Sequence, residues 1–319
     1  MGTTMERPAN PFHRAIYLTG PTAVGKTAVG VALARRLGAE VVALDSMTLY
    51  RGMDIGTAKP TPDERGGVPH HLIDVLDPWE AASVADYRGW ALAVVADLEA
   101  RGRRPLFVGG TPLYLKALLR GLFEGPGADP ALRADLEAAA DRAGNLAMHA
   151  DLARLDPATA DRLHPNDRRR VIRALEVIRA TGRPLGELQV EHGEAAPPGI
   201  PVLALDRPRA ELRERIDRRV ERMFVDGLVE EVRALHEAPR PPGPVAAQGV
   251  GYREVLDLLA GRVDRLGAVA LVQARTRRFA KRQATWFRGL AEVRPWPVGP
   301  GEPPEATADR LARAIEAGN

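Results

Sequence analysis

With 319 residues, 45% of them hydrophobic and 27% charged, the chain can build one large domain or two modest ones around a real core. It has no cysteine, which excludes disulfides, thiolate zinc sites and a catalytic thiol. The N-terminal MGTTMERPANPFHR lacks an apolar core segment, and no stretch nears the ~18 apolar residues of a membrane span, so a cytoplasmic protein with no membrane partner is expected. The net charge is only +3, but positive charge comes in clusters, which points to a polyanion partner.

Taken in order, Ala15-Ile16-Tyr17-Leu18 reads as a short buried strand, and a helical pattern from Ala28 to Leu37 stops at Gly38. Between them Gly20-Pro21-Thr22-Ala23-Val24-Gly25-Lys26-Thr27 fills the pattern G-x-x-x-x-G-K-[ST] without a mismatch. In that strand-loop-helix setting the glycines let successive N–H groups turn inward. The helix N-terminus and Lys26 add positive charge, and Thr27 is a candidate ligand for Mg²⁺. A di- or triphosphate is the expected guest. Residues 39–44 read as a second buried strand ending at Asp45-Ser46, where side chains face the ligand crevice of an α/β sheet. The residues alone leave Asp45 open as a helix cap or a Mg²⁺-shell carboxylate.

The stretch 50–60 is rich in turn formers and reads as a functional loop. Residues 70–75 resemble a strand, on which His70 and His71 point to opposite faces and make a poor metal pair. A helix is expected from Ser83 to Arg101, and a buried strand over 105–108 leads into Gly109-Gly110-Thr111 and another helix. From 121 to 200 the pattern is helical only, bounded by Gly/Pro-rich segments. A strand returns at 202–205, followed by helices over 209–225, 228–235, 252–259 and 263–290; the tail, 298–319, has no assignable role. The expected fold is α/β: a P-loop NTPase-like parallel sheet flanked by helices, formed by residues 12–120 and 201–297, with an inserted all-helical domain over 121–200.

Two clusters carry the positive charge. Residues 275–288 hold six cations, among them Arg275, Arg278, Lys281 and Arg282, interleaved with Phe279, Trp286 and Phe287. Basic with aromatic is a nucleic-acid signature. Phe279 and Trp286, seven apart, share a face and are expected in the core. The second cluster, Arg169, Arg170, Val171, Ile172 and Arg173, lies in the inserted domain. In the helix from Arg209, Ile216, Val220 and Met223 form a core face flanked by Arg215, Arg219 and Arg222. Only four residues are lysine against 41 arginines. Lys26, Lys59, Lys116 and Lys281 all fall in the stretches singled out here, where a compact ammonium is not equivalent to a guanidinium.

GPTAVGKT, Asp45-Ser46, the segment Tyr50 to Pro60, Pro69 to Asp74, Val108 to Tyr114, His164 to Asp167, Arg173 to Glu176, Gly249 to Tyr252, and Ala280 to Phe287 occur here in one order. That combination closely resembles the bacterial tRNA dimethylallyltransferases from about residue 16 to 296. The resemblance implies transfer of a dimethylallyl group from dimethylallyl diphosphate to N6 of the adenosine 3′ of the anticodon in tRNA, with Mg²⁺ and release of diphosphate. It implies that Gly20 to Thr27 hold the diphosphate and that Asp45 accepts the amine proton. Thr111 and Arg219 would act on the departing diphosphate. The tRNA would be met by Asp45, Ser46, Met47, Thr48, Arg133, Gly251 and Tyr252 together with both basic clusters, the inserted domain taking the anticodon stem-loop. The protein would work as a monomer. One departure stands out: the family usually has glutamine where this chain has Thr48, so altered selectivity is expected there. The first 45 residues alone would equally fit a P-loop small-molecule kinase of the shikimate or adenylate kinase type; a third reading, a non-catalytic RNA-binding ATPase, lacks a clear second acidic strand beyond Asp45.

Overall fold

The structure is a computed structural model that describes residues 10–122, 125, 127, 129–190 and 195–318. In chain order the first part contains β1 (Ile16–Thr19), α1 (Lys26–Leu37), β2 (Ala39–Ala43), the single turn α2 (Pro62–Arg65), β3 (His70–His71), α3 (Val84–Ala100), β4 (Arg104–Val108) and α4 (Pro112–Arg120). After four helices, α5 (Pro130–Leu155), α6 (Pro157–Ala160), α7 (Arg168–Thr181) and α8 (Leu185–Val190), come β5 (Val202–Asp206) and α9 (Arg209–Val225). The rest is α10 (Leu228–Glu237), α11 (Tyr252–Leu259), α12 (Arg265–Arg288), β6 (Arg294–Pro297) and α13 (Pro304–Glu316). The chain divides into two compact units, residues up to 119 with 196 onward, and residues 120–195.

The first unit is built on a six-stranded sheet in the order β3-β2-β4-β1-β5-β6. Every pairing is parallel. Parallel sheets are covered on both faces, so their strands read as continuous apolar runs. One face carries Tyr17, Val42, Phe107 and Val202 into a core shared with α3, α4, α9 and α12. There Tyr17 and Phe107, opposite each other across β1 and β4, stack with centroids 5.1 Å apart. The other face carries Ile16, Leu18, Val41, Leu106, Leu203 and Leu205 against Val29 and Leu33 of α1 and Ala308, Leu311 and Ala312 of α13. The tail set apart by the sequence reading is therefore half the cover of this face. β6, also unexpected, contains two prolines and pairs only with β5. A proline that cannot donate is tolerated on an edge strand. At the opposite edge β3 is shorter than expected, because Leu72 (φ 59°) and Asp74 (φ 57°) turn left-handed.

The unit 120–195 has its own core of Leu136, Leu152, Val171, Ile172, Leu175 and Val177. α5 breaks at Gly144 (φ 82°, ψ 161°). Arg168 on α7 ties back to Glu137, 2.7 Å, and Asp141, 2.7 Å, on α5.

Leu311 is fully buried, so Leu311→Ala should cost about 2–4 kcal/mol through lost burial and the cavity left. A lowered urea midpoint measures this. An unchanged midpoint would mean that α13 is not part of the core.

Candidate active site

The phosphate-type loop leaves β1 beneath β5. A Cβ at Gly20 would meet Leu205 O at 2.7 Å, and φ there is +133°, so only glycine passes. Beyond it Ala23 (φ 64°) and Gly25 (φ 108°) also turn left-handed, and the helix begins at Lys26. Two of the loop's carbonyls are held by arginines from beyond β5. Arg215 Nε donates to Ala23 O at 2.8 Å, and Arg207 Nε donates to Val24 O at 2.9 Å. Arg207 is fixed in turn by Glu211, 2.7 Å away. These contacts fix the carbonyls of Ala23 and Val24, while the Val24 N–H closes back on Pro21 O at 3.4 Å. Residues 20–27 form the strand-loop-helix turn that their pattern predicts, while Arg207 is a partner that no local pattern announces and Arg215 is more than a helix flank.

Lys26, Thr27, Asp45, Thr111 and Arg219 line one cavity of about 450 Å³ beside this loop. Lys26 Nζ donates to Gly20 O, 3.0 Å, and Pro21 O, 2.9 Å. Burial lowers its ammonium to about 8, with Asp45 opposing that shift and Arg219 reinforcing it. Asp45 Oδ1 accepts the Met47 N–H at 2.9 Å. Burial raises its carboxyl above the usual carboxylate range, against the pull of that amide, Lys26, the Thr48 amide and Arg219. No helix follows Asp45, so the helix-cap alternative falls and the hydrogen bond to Met47 closes a local Asx turn instead. Thr111 Oγ1 accepts the Ser46 N–H at 3.1 Å, which ties the ends of β2 and β4 together. Arg219 projects from α9. Burial lowers its guanidinium, with Asp45 opposing, and it has no ion pair among the described residues. A partly buried cation with no paired carboxylate favours an arriving anion.

The segment 47–60 forms a wall of the same cavity, and two devices hold it. Lys59, whose side chain is 4% exposed, donates to Tyr50 O at 2.6 Å, Asp54 at 2.6 Å and Asp74 at 2.5 Å. Three acceptors around one compact ammonium give a physical reason for lysine there. From α10, Glu231 accepts the backbone N–H groups of Asp54 (2.8 Å), Ile55 (2.6 Å) and Gly56 (3.0 Å) and the Tyr252 hydroxyl (2.8 Å). Glu231 lies 175 to 177 residues from the three amides, and no local pattern announces it. In this wall Thr48 is 7% exposed and lines the cavity, yet its Oγ1 has no hydrogen-bond partner.

A family model described as IPP transferase matches residues 48–290, and one described as isopentenyl transferase matches 14–74. The chain belongs to the IPP transferase family. A tRNA dimethylallyltransferase of Geobacter sulfurreducens is 50% identical over 276 residues, 86% of this chain and 89% of that relative. One of Anaeromyxobacter dehalogenans is 49% identical over 307 residues, 94% and 99% of the two chains. The crystal structure of a Bacillus halodurans tRNA isopentenylpyrophosphate transferase aligns with TM-score 0.69 at 40% identity, covering 96% of this chain and 98% of that one. A eukaryotic dimethylallyltransferase acting on tRNA aligns with TM-score 0.79 at 27% identity over 95% and 78%. The family match runs far beyond the phosphate loop, which removes the ground for a small-molecule kinase.

Within this IPP transferase fold the structure sorts the remaining expected residues. Ser46, Met47, Thr48, Arg275 and Arg282 join the cavity lining. Gly251 and Tyr252 do not. Both are buried, and Tyr252 presses its ring close to Gly56 and Gly249, so it braces the wall and has no surface for RNA. Val171 and Ile172, 1% and 2% exposed, are core residues of the helical unit. Apolar spacing on α7 buries them while its arginines turn outward. Arg133 and Arg173 both pair with the buried Glu176, at 2.6 and 2.8 Å, whereas Arg169 and Arg170 are exposed.

On α12 the buried positions are Ala268, Val272, Ala280, Gln283 and Phe287. Phe279 and Trp286, expected in the core, are 37% and 40% exposed, because the apolar stripe runs one position off the pair. Arg282 lies over the Phe279 ring, 5.9 Å from its centroid. Arg275 pairs with Glu254 at 2.5 Å and Arg277 with Asp217. Arg278, Lys281 and Arg282 are exposed, with no carboxylate partner among the described residues. The histidine pair is structural: His71 Nε2 meets Glu40 at 2.7 Å and His70 Nδ1 meets Val68 O at 2.8 Å.

Inorganic diphosphate should bind this cavity. Lys26→Ala should weaken it about 10–100-fold, the worth of charge-assisted hydrogen bonds to one ammonium. Lys26→Arg should not restore it, since a planar guanidinium cannot take the place of a buried point charge. Isothermal titration reads both, and wild-type affinity in Lys26→Ala would place the anion elsewhere.

Proposed function

We propose that this chain transfers a dimethylallyl group from dimethylallyl diphosphate to N6 of the adenosine 3′ of the anticodon in tRNA, releasing diphosphate. The observation that carries the reading is one cavity holding two uncompensated cations, Lys26 and Arg219, beside a carboxylate of raised basicity, Asp45. Diphosphate on the loop amides, Lys26 and Arg219 leaves as the bond from C1 of the prenyl group to oxygen breaks. Fixed donors of this kind stabilise the departing charge without reorganising. The new bond joins N6 to C1. An aromatic amine is a weak nucleophile, and Asp45 accepts its proton as positive charge develops on nitrogen. Thr111, held by the Ser46 amide, orients the diphosphate beside it.

The cavity suits Mg²⁺. The Thr27 hydroxyl is a hard oxygen donor on its lining, and Mg²⁺ favours one or two protein oxygens with water and substrate phosphate completing its shell. When bound, the ion neutralises diphosphate charge.

RNA phosphates meet Arg278, Lys281 and Arg282 on α12, and Arg169 and Arg170 on the helical unit, residues 121–200 in the sequence reading, which takes the anticodon stem-loop. The adenine is flipped out of its loop to reach Asp45, as in other enzymes that act on a base. Thr48, with its unpartnered hydroxyl, supplies a single polar contact to the substrate where relatives offer a carboxamide. No helix among the described residues is long and apolar enough to cross a membrane. The working form is a cytoplasmic monomer.

Asp45→Asn should leave diphosphate and stem-loop binding near wild type and slow single-turnover prenylation by about 10²–10⁴. If the variant instead loses Mg²⁺-dependent diphosphate affinity and keeps its saturated rate, Asp45 is not the base. RNA affinity should fall with salt, and Arg278→Ala and Arg282→Ala should each flatten the logarithmic slope by about one unit. Arg277→Ala, whose guanidinium already serves Asp217, should leave the slope unchanged. Equal effects of all three would contradict the assignment of phosphates to the exposed arginines.

A further inference from the structure

Gln283 is the one polar side chain in the buried stripe of α12, and it is 4% exposed. Its Oε1 accepts the Thr22 N–H at 2.9 Å. Its Nε2 donates to Gly110 O at 2.6 Å. Because a backbone N–H can only donate and a carbonyl can only accept, these partners fix the orientation of the carboxamide. Thr22 belongs to the loop that cradles the anion, and Gly110 to the turn that carries Thr111. A Cβ on Gly110 would come within 2.6 Å of Gln283 Nε2, so glycine there admits the contact. One side chain from the basic helix thus joins the two loops that form the floor of the cavity.

We infer that Gln283 is a positioning residue: by holding the Thr22 amide and the Gly110 carbonyl together, it sets the shape of the diphosphate loop and its distance from Thr111. The inference rests on the reading above that this loop holds the prenyl diphosphate. Both ends of the carboxamide are taken by the protein, so Gln283 acts through the loop. It is also two residues from Lys281 and next to Arg282 in sequence, so the helix that offers cations to RNA also holds the diphosphate site in shape. Methionine at 283 keeps the length of the side chain and removes both hydrogen bonds. Glutamate keeps an acceptor for Thr22 N–H but, when ionised, sets an anionic oxygen against Gly110 O. Once protonated, its O–H can donate to that carbonyl and restore the pair. Burial holds such a carboxyl above its ordinary range.

The test is titration of Q283M and Q283E with inorganic diphosphate and Mg²⁺ across pH, beside stem-loop binding and prenylation kinetics. Q283M should bind diphosphate about tenfold more weakly, the effect of roughly one lost hydrogen bond to a fixed partner. Its KM for dimethylallyl diphosphate should rise while stem-loop affinity stays within about twofold of wild type. The Q283E defect, taken as a ratio to wild type, should be large at pH 8 and close as pH falls and the carboxyl takes up its proton. Wild-type diphosphate affinity in Q283M, or equal loss of diphosphate and stem-loop affinity, would overturn the inference. Should Q283M fail to fold, the Q283E profile decides: recovery in acid supports the role, and a ratio independent of pH overturns it. Diphosphate binding is read without any transfer. A wild-type protein that binds diphosphate and prenylates nothing would sink the functional reading and leave this comparison standing.

Discussion

A loop can present its amides to an anion only if its carbonyls are satisfied elsewhere, and the rest of this site depends on how that condition is met. Arg215 and Arg207 take the carbonyls of Ala23 and Val24. Lys26 takes those of Gly20 and Pro21, and Gln283 takes the amide of Thr22. Apart from Lys26, the first residue of α1, these partners come from α9, from just after β5 and from α12, and both helices are anchored in the core by an apolar stripe. The shape of this loop is therefore imposed largely by tertiary structure on a sequence that permits it. Glycine at position 20 and left-handed backbone at Ala23 and Gly25 are permissions; the arginines and the glutamine enforce the shape.

The second constraint is electrostatic. Lys26 and Arg219 are held with too few carboxylates for their charge, and both are lowered mainly by burial. Asp45, in the same cavity, is raised by burial. Asp45 opposes the shift of both cations, whereas Arg219 deepens that of Lys26. In the proposed reaction a diphosphate guest compensates the two cations, and removal of the amine proton uses the raised basicity of the carboxylate. Perturbed groups gathered in one cleft are the physical mark of a site that does chemistry.

Much of this was legible in the sequence because it is local. The phosphate-loop pattern, the buried strands at 16–19, 39–43, 104–108 and 202–206, and Asp45 at a strand end all follow from residue spacing within a few positions. What could not be read joins distant segments. Glu231 gathers three amides of the 54–56 turn, and Gln283 reaches Thr22 across 261 residues; neither leaves a local trace. β6 was missed because its prolines speak against a strand, and only its edge position makes them harmless. Phe279 and Trp286 share a helix face, but seven-residue spacing does not say which face is buried. The neighbouring stripe through Ala280, Gln283 and Phe287 is the one that packs. Val171 and Ile172 were carried into the RNA-binding set by their arginine neighbours, although apolar residues between arginines on a helix mark its inward side.

The central claim is that the cation-rich cavity beside Asp45 joins a prenyl group to an adenine amine and does not move phosphate. The most direct measurement is mass spectrometry of an unmodified tRNA anticodon stem-loop after incubation with Mg²⁺ and either dimethylallyl diphosphate or ATP. The account predicts one added C5H8 on the adenosine 3′ of the anticodon, one diphosphate released per transfer, and no product from ATP. Consumption of ATP or a phosphorylated product, with the stem-loop left unprenylated by dimethylallyl diphosphate, would contradict it.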